Sequence, residues 1–461
     1  MGHYFLSPYL NENEEETKRM KQKFWFGGIL ALLLLLLGAY RSEPVQIAHV
    51  EPVEGQKIVA VENSASGLQS PPGVQTGDEA EEEEYVLGVV LPFTGSLGSF
   101  GVGFREGIEL AIEQMNEQLS KTSSPVRFSM VSADTEGTPD GAAKGIQTVV
   151  QTSGAQVVIG PLSTSEVLGA KQFADENQIT IIAPASSGTA GAIPDDFIFR
   201  VMNPPDTFTA QAFAGIAEVR GYENMVLLQL DDPFGNGLGE GFQNLFTEAG
   251  GSEVSIIKYA PDPPDLSSEV SSLSAEVASL SGAGETAVLC ICFLGDAQKV
   301  LQLAQVDPIL RTVDWLGIEN LRNPELLADE GHAAFLAEVN FTSISFSAKE
   351  NPNTQPFIEA YTEKFGNEPG PFTNYAFDAA NIAMLSLIFA GNDGAAVKEV
   401  VPFIAGHYIG TQVQTALDEN GDQAIADLGI YRVTEDGTDF EEIGLYEGAS
   451  GTVTLNEGAE E

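Results

Sequence analysis

Residues 155–166 read AQVVIGPLSTSE, and residues 179–188 read ITIIAPASSG. Each opens on a short apolar run with no polar alternation, as a strand buried on both faces does. Between them SEVLGAKQFADENQ has helical spacing. Strand, helix and strand in this order form a β-α-β unit, and such units build a parallel sheet covered by helices. Both strands end in turns rich in small hydroxyl residues. In open parallel sheets the carboxyl ends of the strands are where ligands bind.

The same alternation extends outward. YVLGVVLPF, from Tyr85, predicts a strand, and VGFREGIELAIEQMNEQL a helix with Phe104, Ile108, Ala111, Ile112, Met115 and Leu119 on one face. RFSMVSAD predicts the next strand, GAAKGIQTVVQTSG a helix stopped by Gly154, and FIFRVMNP closes the block. A second block follows with strands ENMVLLQLDD, SEVSIIKYA, ETAVLCICFL and TVDWLGIE, interleaved with helices. TQPFIEAYTEKFG, FTNYAFDAANIAMLSLIFAG and GAAVKEVVPFIAG read as further helices. The stretch QAIADLGIYRVTEDGTDFEEIGLYEG reads as a hairpin turning at Glu435, Asp436 and Gly437. Two similar α/β blocks predict two lobes, and two sheets with facing carboxyl ends predict a cleft.

The amino-terminal part differs. Residues 24–40, FWFGGILALLLLLLGAY, carry no charge and predict a membrane anchor, the low end of a spanning helix. Lys18, Arg19, Lys21 and Lys23 precede it, so residues 1–23 are expected in the cytoplasm and the folded part outside, on a single-pass protein of the cell membrane. A cleaved signal peptide is the rival. Residues 41–84, rich in Pro, Gly, Ser, Gln and Glu, read as a disordered acidic linker.

Over the whole chain the hydrophobic content of 43% excludes a disordered protein. Lys+Arg 21 against Asp+Glu 67 gives a net charge of −46. That excludes a nucleic-acid binder, which needs clustered cations for phosphate. It fits an extracellular or high-salt setting. Cys290 and Cys292 sit in AVLCICFL; two residues apart on a strand their Cα atoms would lie roughly 6.5–7 Å apart, the far edge of disulfide reach. They are expected as buried small hydrophobes. The four histidines form no spaced cluster, so no metal is predicted.

Three strand ends carry the chemistry. Gly160-Pro161-Leu162-Ser163-Thr164-Ser165-Glu166 and Pro184-Ala185-Ser186-Ser187-Gly188 offer hydroxyls and free N–H groups at adjacent positions, suited to an anion. Ser163 or Thr164 also reads as an N-cap, with Glu166 completing a capping box. After TVDWLG stands Glu319, able to hold an amine, act as a base or face water. Gly101, Gly103 and Gly107 in GVGFREG, with Asp134, resemble a loose dinucleotide fingerprint, but Gly101 lies too far past the strand; a flexible loop lining the cleft is the other reading. No G-x-S-x-G, H-E-x-x-H or P-loop occurs, so no cofactor and no catalysis are expected. Asp418-Glu419-Asn420-Gly421-Asp422 lacks the rest of a calcium loop and reads as a tight turn.

From Tyr85 to about Gly448 the chain resembles the type I periplasmic binding proteins, in their leucine/isoleucine/valine-binding branch. The matching pieces are GVVLPFTGSLGSFGVGFREGIELAIEQMN, VVIGPLSTSEV, IIAPASSGT, LQLDDPFGNGLGEGF, WLGIENL and NYAFDAANIA. The resemblance implies two α/β lobes joined by three crossovers: residues 85–205 with about 346–415 in one, 206–345 with about 416–448 in the other, and 449–461 as a flexible tail. It implies a solute receptor that captures a small amino acid, branched-chain or otherwise hydrophobic, and delivers it to an ABC transporter permease. Position by position, Ser163 would bind the ligand carboxylate, aided by Ala185 through its backbone and Ser187 through hydroxyl and N–H; Thr164 and Ser186 share those turns. Glu319 would hold the ammonium, Phe293 and Phe234 would face it from the second lobe, and Phe100 would lie over the mouth. Several of these aromatics are Tyr in relatives, so ring hydroxyls are missing here. The anchor and acidic linker also depart from the freely diffusing form. A site for amides, urea or another small solute, or a sensory input domain, is the alternative.

Overall fold

The computed structural model describes residues 82–459, apart from 96, 202, 281, 347–351 and 412–414. The expected cytoplasmic tail and membrane anchor, and all but the end of the expected linker, lie outside the described residues. Among the described residues no single helix is long and apolar enough to cross a membrane.

The first sheet has five parallel strands, β1 (Glu83–Leu91), β2 (Val126–Asp134), β3 (Val157–Ile159), β4 (Thr180–Ile182) and β5 (Ile198–Phe199), in the order β2-β1-β3-β4-β5. Leu87, Val89, Val158, Ile159, Ile181 and Ile182 are wholly buried, as the unbroken apolar runs required. α1 (Gly98–Lys121), α2 (Pro139–Ser153) and α3 (Thr164–Asn177) connect these strands. All six apolar positions predicted for α1 are buried. Gly154 stops α2 in the left-handed conformation.

The glycines of GVGFREG lie inside α1, not in a phosphate loop or a flexible one. A Cβ on Gly101 would stand 1.8 Å from the Pro92 carbonyl oxygen, and one on Gly107 2.6 Å from that of Thr373. These glycines exist to let helix backbone approach backbone, which removes the dinucleotide reading.

The chain crosses after β5 into α4 (Asp206–Arg220) and the second lobe. Its sheet has eight strands in the order β13-β12-β11-β10-β9-β8-β6-β7. β6 (Asn224–Leu230), β7 (Glu253–Tyr259), β8 (Thr286–Ile291), β9 (Asp314–Gly317) and β10 (Thr342–Phe346) are parallel, alternating with α5 (Pro233–Glu248), α6 (Ser267–Leu280), α7 (Leu294–Ala304), α8 (Pro324–Leu327) and α9 (Glu330–Glu338). The chain then returns to the first lobe with α10 (Thr354–Phe365), α11 (Thr373–Ala390) and α12 (Gly394–His407). α11 packs on α1, and Thr180 of β4 donates its hydroxyl to Gly394 at 2.7 Å. A last crossing leads to β11 (Leu428–Val433), β12 (Phe440–Glu447) and β13 (Thr452–Leu455), all antiparallel.

Two expectations are corrected. The region expected as a flexible tail contains β13, whose Val453 pairs with Tyr446 and whose Leu455 is buried. Cys290 and Cys292 form a disulfide with Cα atoms 5.4 Å apart. β8 ends at Ile291, so Cys292 leaves the extended ladder and the full two-residue rise does not apply.

The 418–422 stretch is a turn, as expected. Asp418 donates its N–H to the Asp422 carbonyl at 2.7 Å, and Gly421 takes φ +73°. It sits beside the first sheet, where Arg200 and Asp422 form an isolated parallel bridge.

Candidate ligand-binding site

All nine residues singled out from the sequence line one pocket between the lobes: Ser163, Thr164, Ala185, Ser186, Ser187, Phe100, Phe234, Phe293 and Glu319. Leu97, Phe104, Leu162, Asn203, Ile318, Asn320 and Phe372 complete it, around about 540 Å³ of space that includes the open mouth.

One pole is built by the ends of β3 and β4. Ser163 caps α3: its hydroxyl accepts from the Glu166 N–H at 3.3 Å, and its own N–H donates to Glu166 Oε2 at 2.9 Å. The capping box read from the sequence is therefore present. Thr164 ties the two turns together, accepting from the Gly188 N–H at 2.9 Å and lying 3.2 Å from the Ser186 hydroxyl. These two hydroxyls thus hold one another. Ser163 and Ser187 present theirs at the pocket wall.

Arg200 braces this pole from behind. It is 1% exposed, donates from Nη1 to the Gly188 carbonyl at 2.6 Å, and grips Asp422 with Nε at 2.6 Å and with Nη2. A buried, bidentate ion pair of this kind costs its full desolvation if either partner is lost. It joins the first and third crossovers to the turn that carries Ser187.

Across from these turns the second lobe contributes an acid. Glu319 follows β9, is partly buried, and has one buried carboxylate oxygen without a hydrogen-bond partner. Burial raises its carboxyl above the usual range, eased by its own backbone and by Asn203. Asp206, the first residue of α4, was not singled out from the sequence; it donates its N–H to the Ser187 carbonyl at 2.9 Å and neighbours Glu319, although it is not among the residues that line the pocket. It is 1% exposed, and neither carboxylate oxygen completes a hydrogen bond, although the Ser187 hydroxyl lies close enough to ease its charge. Burial first, then the neighbouring Glu319, push its carboxyl up to about 8. Glu319 thus brings an unused carboxylate oxygen to the pocket, a site for a cation with hydrogen-bond donors.

The walls between the poles are aromatic. Phe234 stacks on Phe293 with centroids 5.5 Å apart and an interplanar angle of 11°. From the first lobe Phe100 lies 6.2 Å from Phe372. Phe372 takes φ +62°, rare for a bulky residue, which turns its ring into the pocket at the start of α11. Without ring hydroxyls these walls offer apolar contact alone.

A pocket walled by two α/β lobes joined by three chain crossings, with ligand groups drawn from both, defines a two-lobed small-molecule binding protein. The chain belongs to the periplasmic binding protein family, whose model matches residues 84–438. It is similar to an uncharacterised protein of Methanocaldococcus jannaschii, 23% identical over 412 residues, covering 84% of this chain and 96% of the relative. An amino acid binding protein of Pseudomonas aeruginosa is 23% identical over 372 residues, covering 77% and 91%. Among solved structures, a leucine binding protein from Thermotoga maritima matches with a TM-score of 0.66 at 24% identity, covering 81% of this chain and 99% of that one.

Proposed function

We propose that this protein captures a free amino acid with an apolar side chain between its lobes and passes it to an ABC transporter permease. One observation carries the reading: the pocket joins the hydroxyls and N–H groups of the first lobe to the Glu319 carboxyl of the second, which has an unused oxygen, with phenylalanines around them. A zwitterion with an apolar side chain satisfies all three at once. An amide or urea leaves Glu319 without a cation, and an aromatic acid brings it none either. The names of two relatives, an amino acid binding protein and a leucine binding protein, point the same way. Capture of this kind involves no chemical step.

A thermal-shift screen against the twenty amino acids tests it. A ligand at 100 times its Kd adds about 2.7 kcal/mol of stability. Stabilisation by leucine, isoleucine or another apolar amino acid is expected. Stabilisation by amides or urea alone would replace this reading with its rival.

We further propose that residues 24–40 anchor the chain in the cell membrane with the binding domain outside the cytoplasm. The uncharged run and the four preceding cations, Lys18 to Lys23, support this. Mass spectrometry of the mature amino terminus decides between an uncleaved anchor and a chain starting near Arg41.

A further inference from the structure

We propose that Glu166, outside the pocket, sets whether Ser163 is able to donate a hydrogen bond to a ligand carboxylate, so that carboxylate capture requires Glu166 to be protonated. Glu166 is a positioning residue in this scheme. The inference rests on the amino-acid reading above.

The argument starts from donors and acceptors. Glu166 is 0% exposed and is held by three donors: the Thr135 hydroxyl, the Ser163 N–H at 2.9 Å and the Ser163 hydroxyl at 2.6 Å. A serine hydroxyl has one proton. While it points at an ionised Glu166, Ser163 shows only lone pairs to its remaining neighbours, the Ser165 hydroxyl at 3.2 Å and the pocket, and lone pairs repel a carboxylate. When Glu166 takes a proton from solvent, it becomes the donor to Ser163 Oγ. The Ser163 proton then swings to the pocket. One proton gained by Glu166 thus turns the carboxylate pole from acceptor to donor.

The surroundings favour that protonated state. Burial, relieved in part by the Ser163 and Thr135 donors, raises the Glu166 carboxyl above its ordinary range. Asp134, at the end of β2, bears on it with like charge. Across from α3, Asp232 of the second lobe is engaged by Ser165. Among the described residues Glu166 takes part in no ion pair with Lys or Arg. Across the pocket Glu319 acts with opposite sign, since an ammonium prefers it ionised. The two ends of the pocket therefore respond to pH in opposite directions.

The test is titration calorimetry on the full chain, using the amino acid that gives the largest thermal shift and the same amino acid as its carboxamide. The readout is the ratio of Glu166→Gln to parent affinity at matched pH, which cancels the titration of the ligand's own amine. The glutamine amide never ionises, and with its NH2 toward Ser163 Oγ it donates there at every pH, giving up the contact from the Ser163 N–H. For the amino acid the ratio is expected near one at about pH 5, rising to roughly 10- to 100-fold by about pH 9, the worth of one charge-assisted hydrogen bond. For the carboxamide it stays near one throughout. A second measurement needs no change at Glu166: at about pH 9, in two buffers of different ionisation enthalpy, the parent takes up more protons on binding than Ser163→Ala does. A ratio independent of pH for the amino acid, or equal proton uptake by parent and Ser163→Ala, overturns the Glu166 assignment and leaves the amino-acid reading standing. Failure of every amino acid to bind overturns both.

Discussion

Replacing Asp206 by asparagine should stabilise the ligand-free protein in alkaline solution and spare it in acid. In the folded chain burial and the nearby Glu319 hold this carboxyl up to about 8, against an ordinary value of 3.8. Between those values the folded state keeps a proton that the unfolded state has lost. Stability therefore falls as pH rises through that window and levels off above it. A rise of about 4 units at 1.36 kcal/mol each sets a ceiling of roughly 5–6 kcal/mol, of which the coupled Glu319 carries a share. Asparagine keeps the shape and never ionises. Urea unfolding of parent and Asp206→Asn across pH 4–9 should show curves that meet near pH 4 and separate by a few kcal/mol at pH 8–9, the variant being the more stable. Glu166 slopes equally in both proteins, so the difference reports Asp206 together with its coupling to Glu319. Parallel curves at a constant offset would refute the reasoning, because they would show that Asp206 titrates alike in folded and unfolded chains.

Glu319→Gln should lose roughly 1.5–3 kcal/mol of amino-acid affinity while folding normally, measured by calorimetry; unchanged affinity would place the ammonium elsewhere. Ser163→Ala should weaken binding without blocking compaction at saturating ligand, whereas Glu319→Ala should bind without closing fully, since Glu319 belongs to the second lobe; small-angle scattering at matched occupancy separates the two. Gly101→Ala should cost several kcal/mol in thermal unfolding, because its Cβ would stand 1.8 Å from the Pro92 carbonyl oxygen and α1 would have to shift.

The site was legible in the sequence to the extent that it obeys one rule, that ligands meet the carboxyl ends of parallel strands. Ser163, Ser187 and Glu319 each follow a strand that its apolar run announces. Asp206 follows no strand directly. It opens α4 after Pro204 and Pro205, where an acid is already accounted for by the helix dipole, and only the chain crossing brings it next to Glu319. Phe372 was hidden because its left-handed backbone turns a residue just before an apolar helix into the pocket. β10 escaped notice for another reason: Thr342 and Ser343 are 0% exposed, so polar residues fill a buried strand, and the Ser343 hydroxyl is satisfied by the Ile318 carbonyl at 3.0 Å. The disulfide was missed because an ideal strand spacing was applied where the strand had already ended.

The threefold crossing of the chain has a consequence for how the protein is made. A ribosome delivers residues from the amino end, and domains built from continuous chain can fold as they emerge. Neither lobe here is continuous. The first sheet is translated early, yet its helices α11 and α12 arrive only by His407, after most of the second lobe. The second sheet in turn awaits β11 to β13, the last of which ends at Leu455. The partner of Arg200, Asp422, is also among the final residues to appear, 222 positions behind it. Both halves must therefore wait, incomplete and with apolar surface uncovered, until nearly the whole polypeptide exists. A chain cut short by even its last few dozen residues lacks the Asp422 brace and the edge of the second sheet together, so a truncated product fails as a whole and leaves no half-working lobe behind.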